Sequence, residues 1–310
     1  MLKARSKKKV ILIVTLCLLL AALMWIGISL GLYGIYFGHR FDSNKALMNH
    51  VYEFDGLERT RYEFQSDKGQ TLVGYIYSSG QDQRGIIVFS HGYGYGGHNS
   101  YMAAINYLAQ NGYYVFAYDA TGCDESSGKG IGGVPQGVID LDHAISFVEE
   151  SGNFPALPIG LFGHSWGGYS ACNVLTYHPE IEAVIECSGP CSSTDLLEGG
   201  GKNVVGPFIY VALPVIKIYE RLKFGDYAVN TAFDGFNASD AEIMVVHGTN
   251  DMIIPINYGY DIYYAIYKDD PRFVFTRLDG KGHSDFLRVE DNNELYESFL
   301  YFYDKNLLDY

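Results

Sequence analysis

Residues 163–167 read Gly163-His164-Ser165-Trp166-Gly167, a match to the pattern G-x-S-x-G. A serine hydroxyl is a weak nucleophile unless a neighbouring base accepts its proton, and the base in turn needs an orienting acid. Two later stretches offer these groups: HGTNDMIIP at 247–255 carries Asp251, and GKGHSDF at 280–286 carries His283. A histidine titrates near pH 6.5, so at neutral pH it can take a proton and return it to a leaving group. Each residue also has a plain alternative. Ser165 fits a tight structural turn, a lone histidine is commonly structural, and turn aspartates commonly bind their own backbone. Glu186 and Asp195 are rival acids.

The elements around these residues separate the readings. Alternation near 61–65 and again over 71–77, across Lys68-Gly69, predicts an antiparallel hairpin. Continuous apolar runs at 85–90, 113–118 and 158–162 suit strands buried on both faces, and 181–186, 241–246 and 273–278 read as further strands. Helical spacing falls between and after them, near 99–111, 136–150, 167–177, 256–268 and 291–306. Such alternation predicts a mainly parallel sheet covered on both faces, with ligands beyond the carboxyl ends of the strands. Ser165, Asp251 and His283 each follow a separate strand at that edge. Residues 191–240 break the alternation. Their apolar patch Val204–Ile216 is short and interrupted by Pro207 and Pro214, which argues against a bilayer span. This segment reads as a cap over the same edge, with a buried helix pair as the alternative.

The chain order Ser, Asp, His, with each residue at a strand end, resembles the α/β-hydrolase superfamily. The resemblance covers roughly 61–310 and rests on FSHGYG at 89–94, GHSWGG at 163–168, HGTNDMIIP and GKGHSDF. It is similar to the branch holding lysophospholipases, monoacylglycerol lipases and serine aminopeptidases. It implies an α/β-hydrolase fold with a mainly parallel central sheet, helices on both faces and a cap insertion. It also implies a nucleophile at Ser165, an acid at Asp251, a base at His283 and an oxyanion hole from the backbone N–H groups of Tyr93 and Trp166. Many members carry D-x-R-G-x-G-x-S after the second buried strand. This chain keeps Asp119, Gly122 and Ser126 but lacks the arginine, which weakens any transfer of substrate preference.

The N-terminus adds a second theme. Residues 10–38 contain no charged side chain and follow Lys3, Arg5, Lys7, Lys8 and Lys9. About 20 apolar residues span a bilayer, whereas a secretory signal has an apolar stretch of only about 7–15. The expected organisation is a basic tail over 1–9, a transmembrane helix over 10–32, a juxtamembrane linker over 33–60 and the hydrolase body over 61–310. The cations place the N-terminus in the cytosol and the body outside it. The triplet Gly27-Ile28-Ser29 leaves cleavage open, and an exported body could pair Cys187 with Cys191. A net charge of −14, with five cations confined to the tail, argues against nucleic acid as a partner.

The expected activity is a membrane-anchored serine hydrolase cleaving carboxylic esters, among them acyl-lipid esters, without cofactor or metal. A peptidase or amidase on the same residues is the alternative, and a non-catalytic surface-binding module the alternative from another class. His91, His98, His164 and His247 lack a metal-ligand spacing. Tyr93, Tyr95 and Trp166 are candidate pocket walls. A dinucleotide reading competes through Gly92, Gly94 and Gly97 in G-x-G-x-x-G spacing, with Asp119 about 20 residues on. It leaves the three later stretches unexplained.

Overall fold

The computed structural model describes residues 2–80, 83–94 and 96–308. The chain starts in a long helix, α1 (Leu2–Phe37), and enters the hairpin β1 (Glu58–Gln65) and β2 (Thr71–Ser78). Then follow β3 (Gly85–Ser90), α2 (Met102–Gln110), β4 (Tyr113–Asp119), α3 (Gln136–Glu150), β5 (Ile159–His164), α4 (Trp166–Val174) and β6 (Ala183–Cys187). Three helices intervene, α5 (Ser193–Val205), α6 (Ile209–Phe224) and α7 (Ala232–Ala238). The chain closes with β7 (Glu242–Gly248), α8 (Tyr260–Tyr267), β8 (Phe273–Leu278) and α9 (Asn293–Leu308).

The strands form one eight-stranded sheet in the order β1-β2-β4-β3-β5-β6-β7-β8. β2 runs antiparallel to both β1 and β4, and the remaining pairs are parallel. Period-2 alternation splits the core. Ile86, Val88, Phe116 and Tyr118 face α3, α4, α7 and α8, whereas Ile87, Phe89, Val115 and Ala117 face α2 and α9. A fully buried side chain of this kind contributes about 1.5–3 kcal/mol, so both faces of the central strands must be apolar. That requirement explains the unbroken apolar runs.

Two stretches depart from expectation. Pro214 lies inside α6, which continues past it to Phe224; the real interruption is at Gly206, in a left-handed conformation (φ 59°). The segment after residue 32 is also more ordered than a linker. α1 stays helical to Phe37, and the chain beyond it is woven into the body. Gly132 N–H donates to the Phe37 carbonyl (2.9 Å) and Phe41 N–H to the Gly122 carbonyl (3.0 Å). Arg40 donates to the carbonyls of Asp124, Ser126 and Gly128. It thus brings a guanidinium to the turn after β4, where the local sequence has none.

The two halves of α1 have different surroundings. Val10 to Met24 expose their large apolar side chains, while Ser29, Tyr33 and Phe37, spaced by four residues, are buried on the body. Trp25 Nε1 donates to the Val211 carbonyl (2.7 Å), and Tyr33 OH donates to Glu220 (2.7 Å), whose other oxygen accepts from Ser193. Lys7–Phe37 and Ser193–Ala238 are each long and apolar enough to cross a membrane by length and composition. The second stretch is folded back on itself as α5–α7. Tyr33→Phe removes a donor from a buried carboxyl and should cost about 1–3 kcal/mol. A melting temperature lower by roughly 2–10 °C in detergent is the expected readout.

Candidate active site

Ser165 occupies the turn between β5 and α4 with φ 56° and ψ −115°, a conformation that costs a side-chain-bearing residue about 1–3 kcal/mol. The surrounding backbone holds it there. Its N–H donates to the Cys187 carbonyl (2.8 Å), and its own carbonyl accepts from Tyr169 N–H (2.9 Å). The flanking glycines are required by space. A Cβ on Gly163 would lie 2.2 Å from the Gly167 carbonyl oxygen, and one on Gly167 would lie 2.0 Å from that of Ser90. β5 thus delivers Ser165 to the cleft floor while α4 begins directly beneath it.

The loops after β7 and β8 carry Asp251 and His283. His283 Nδ1 lies 2.6 Å from Asp251 Oδ2. A carboxylate accepts, so Nδ1 carries the hydrogen and Nε2 is left as an acceptor. Asp251 Oδ1 accepts from Ile253 N–H (2.9 Å) and Ile254 N–H (2.8 Å), and His247 Nε2 stands 3.2 Å from Oδ2. Burial alone would raise its pKa, but the hydrogen bonds from His247 and His283 outweigh it and hold the carboxyl well below the usual range. Asp251 is therefore a fixed anion beside His283. Ser165 and His283 line one cleft together with Tyr36, Tyr93, Leu196 and Ile254.

His164, one residue before Ser165, completes a chain of hydrogen bonds. Its Nε2 lies 3.0 Å from the His283 carbonyl, so Nε2 carries the hydrogen and Nδ1 accepts from Tyr101 OH (2.8 Å). The Tyr101 oxygen in turn accepts from Gly92 N–H (2.8 Å). Burial, then the neighbouring His283, push the His164 pKa down to about 3. It is a neutral connector, and this role and that of Tyr101 were not legible from motif spacing.

Trp166 N–H opens α4 beside Ser165, and Tyr93 lies in the loop after β3 at the cleft wall. The Trp166 ring does not line the cleft. It is buried, donates through Nε1 to the Val134 carbonyl (2.7 Å) and packs edge-on to Tyr93. Tyr93 OH donates to the Tyr36 carbonyl at the end of α1 (2.5 Å), and the two rings stack. Tyr95 lies outside the described residues.

The rival residues are engaged elsewhere. Asp195 bonds Ser192 at the start of α5. Asp119, the acid of the dinucleotide pattern, is buried and accepts from His98 Nδ1 (2.7 Å), while a Cβ on Gly97 would lie 1.8 Å from its Oδ1. That glycine makes room for a carboxylate within the fold. Burial lowers the pKa of His98, but Tyr77 and Asp119 outweigh it and raise it to about 10, so His98 and Asp119 form a buried ion pair. His91 bridges the Gly92 carbonyl and Ala120 N–H. Cys187 and Cys191 are both free thiols.

Glu186 is different. It is fully buried near His247 and Asp251 and bonds Gly189 N–H through Oε1; among the described residues Oε2 has no partner and His247 Nδ1 is likewise unpaired. Burial pushes its pKa up to about 7 against the pull of His247.

Comparison with known proteins returns the same fold. The family described as Hydrolase_4, serine aminopeptidase, S33, matches residues 81–227, a stretch that includes Ser165 but ends before Asp251 and His283. An esterase of Pyrococcus furiosus superposes with a TM-score of 0.67 at 18% identity, over 86% of this chain and 99% of that one. Carboxyl esterase 2 of Tuber melanosporum superposes at 0.62 with 18% identity, over 86% and 91%. An acylaminoacyl peptidase of Pyrococcus horikoshii gives 0.62 at 18% identity, over 84% of this chain and 43% of that one. No curated protein matches the chain at a significant level. The chain has the α/β-hydrolase fold, and the family match covers just under half of its length.

A carboxyl whose folded pKa is raised favours its protonated form, so its contribution to stability falls as pH climbs from the ordinary value of about 4.3 through 7. Glu186→Gln should therefore melt close to the wild type at pH 5 and several degrees above it at pH 8. A gap that does not change with pH would count against this account.

Proposed function

We propose that the protein is a serine hydrolase that cleaves carboxylic esters through an acyl-enzyme. The observation that carries the reading is Ser165, held in a strained turn, sharing a cleft with a His283 whose Nδ1 is held by a buried anionic Asp251. In this mechanism Ser165 Oγ attacks the ester carbonyl and its proton passes to His283 Nε2. The tetrahedral oxyanion is held by Trp166 N–H and Tyr93 N–H. Collapse breaks the bond to the alkoxy group, which leaves as the alcohol with the proton from His283. Water then attacks the acyl-enzyme, giving its proton to His283, and Ser165 regains a proton as the carboxylic acid departs.

Ester cleavage is preferred over aminopeptidase activity because of the cleft walls. Among the described residues lining it there is no Asp or Glu to hold a free α-ammonium group. Tyr36, Leu196, Ile253 and Leu287 suit an apolar acyl group instead. The family match and the acylaminoacyl peptidase keep amide cleavage as the second reading. The same proposal takes α1 as a signal-anchor, with the N-terminus cytosolic, the body outside and acyl-lipid esters within reach. Its support is the charge-free run over 10–38 behind five cations.

A fluorophosphonate should label the full-length protein and leave Ser165→Ala unlabelled; equal labelling of both would end the reading. Asp251→Asn should lower kcat by about 10³–10⁴ with little change in KM, because an amide does not fix the required imidazole tautomer. On matched substrates, p-nitrophenyl esters should outpace aminoacyl anilides; the reverse order would install the amidase. Protease added to intact cells should digest the body while an N-terminal epitope survives, and the opposite pattern would reverse the topology.

A further inference from the structure

The loop that carries the Tyr93 amide reads GYGYGG over residues 92–97, four glycines in six positions. Two of them hold left-handed φ angles, Gly94 at 101° and Gly96 at 87°. Glycine gives a chain more backbone freedom than any other residue, so such a loop does not fix an amide by its own preferences. Gly92 N–H is tied to Tyr101 on one side. On the other side the ties come from residues 36–49, the stretch that follows the last turn of α1.

Three sets of contacts run from that stretch to the loop. At its start the Tyr36 carbonyl accepts from Tyr93 OH (2.5 Å), and the rings of Tyr36, Phe37 and Phe41 surround the Tyr93 ring at 5.2, 5.6 and 4.8 Å between centroids. The Trp166 ring packs against Tyr93 as well, so the two residues whose amides are proposed to hold the oxyanion touch. In the middle, Asp124 accepts from Ser43 Oγ (2.6 Å) and from Gly97 N–H (2.8 Å), and a Cβ on Gly96 would lie 2.2 Å from Ser43 Oγ. At its end Asn49 and Asn99 exchange hydrogen bonds. Asn49 N–H donates to Asn99 Oδ1 (2.9 Å), Asn49 Nδ2 to the Asn99 carbonyl (3.2 Å) and Asn99 Nδ2 to the Asn49 carbonyl (2.8 Å).

We propose that residues 36–49 form a strap that positions the Tyr93 amide for the oxyanion, which makes the segment joining α1 to the body part of the catalytic apparatus. The proposal rests on Ser165 being the nucleophile and on the Tyr93 N–H serving the oxyanion hole. Among the described residues, Tyr93, Gly96 and Gly97 line the cleft of Ser165, whereas Phe41, Ser43 and Asn49 do not. Phe41, Ser43 and Asn49 are therefore positioning residues, which reach the reaction only through the loop. A displacement of about 1 Å can cost roughly 10²-fold in rate, and loss of one oxyanion donor costs about 10²–10³ in kcat. The donor acts on charge that develops in the transition state, so a slack strap lowers kcat and spares KM. A strap that served stability alone would lower the melting temperature and leave kcat in place.

The test uses the full-length protein in detergent, with p-nitrophenyl butyrate or, if the wild type turns over only amides, an aminoacyl anilide. Tyr93→Phe deletes the hydroxyl tie and keeps the ring and the amide. Phe41→Ala opens the ring cage from the strap side. Each should lower kcat at least fivefold with KM within threefold. Each should also weaken a matched trifluoromethyl ketone, which forms a tetrahedral adduct with a serine, by the factor lost in kcat/KM. A folded Tyr93→Phe whose kcat falls less than fivefold, or whose loss lies in KM, overturns the proposal. Should Phe41→Ala fail to fold, Tyr93→Phe, which removes a single oxygen atom, decides alone. Fluorophosphonate labelling separates the two levels. A labelled wild type with unaffected variants brings down the strap alone, and no label on wild-type Ser165 brings down the nucleophile assignment and the strap with it.

Discussion

A neutral imidazole joins the three loops from which the site is built. His164 must keep Nδ1 as an acceptor for Tyr101 and Nε2–H as a donor to the His283 carbonyl, and only the uncharged ring offers both. Burial enforces that state by making the cation costly. Through it, the loop after β3, the turn after β5 and the loop after β8 are held in one hydrogen-bonded line from Gly92 to His283. The positions of Tyr93, Ser165 and His283 are thus coupled, because each lies within one residue of a member of that line or belongs to it.

The line can exist because the parallel sheet brings those loops to one edge. β3, β5, β6, β7 and β8 run in the same direction, so their carboxyl ends lie side by side although the residues are far apart in the chain. Close packing at that edge admits no side chain at positions 163 and 167, and the strain at Ser165 persists because its amide and carbonyl are both fixed. Electrostatics divides the labour beneath it. Asp251 is kept charged by four donors around its two oxygens, while Glu186, with one, is driven toward its neutral form.

Much of this was legible in the sequence because it is local. A strand buried on both faces must be apolar throughout, so Gly85–Ser90 stood at the observed bounds, as did the edge strand Phe273–Leu278 and the amphipathic helix over 136–150. The order of Ser165, Asp251 and His283, each after its own strand, carried the expectation that the three meet at one edge of the sheet. What escaped is non-local. Arg40 reaches a turn more than 80 residues away, Tyr101 meets His164 across the sheet, and Glu186 approaches His247 only through strand pairing. No periodicity encodes such partners. The segment after residue 32 was read as a linker for the same reason: its polarity is visible in one dimension, whereas its docking on the 120–133 region is not.

The docking of α1 also bears on kinetics. Tyr33, Trp25 and Arg40 fix the helix to the body, so the cleft has one set orientation relative to the helix axis. With that axis across a bilayer, the cleft would sweep a ring of lipid around its own anchor rather than the bulk solution. Substrate supply would then follow diffusion in two dimensions. The quantity that saturates the enzyme would be the mole fraction of ester in the leaflet, so diluting the vesicles at fixed composition would leave the rate per enzyme unchanged.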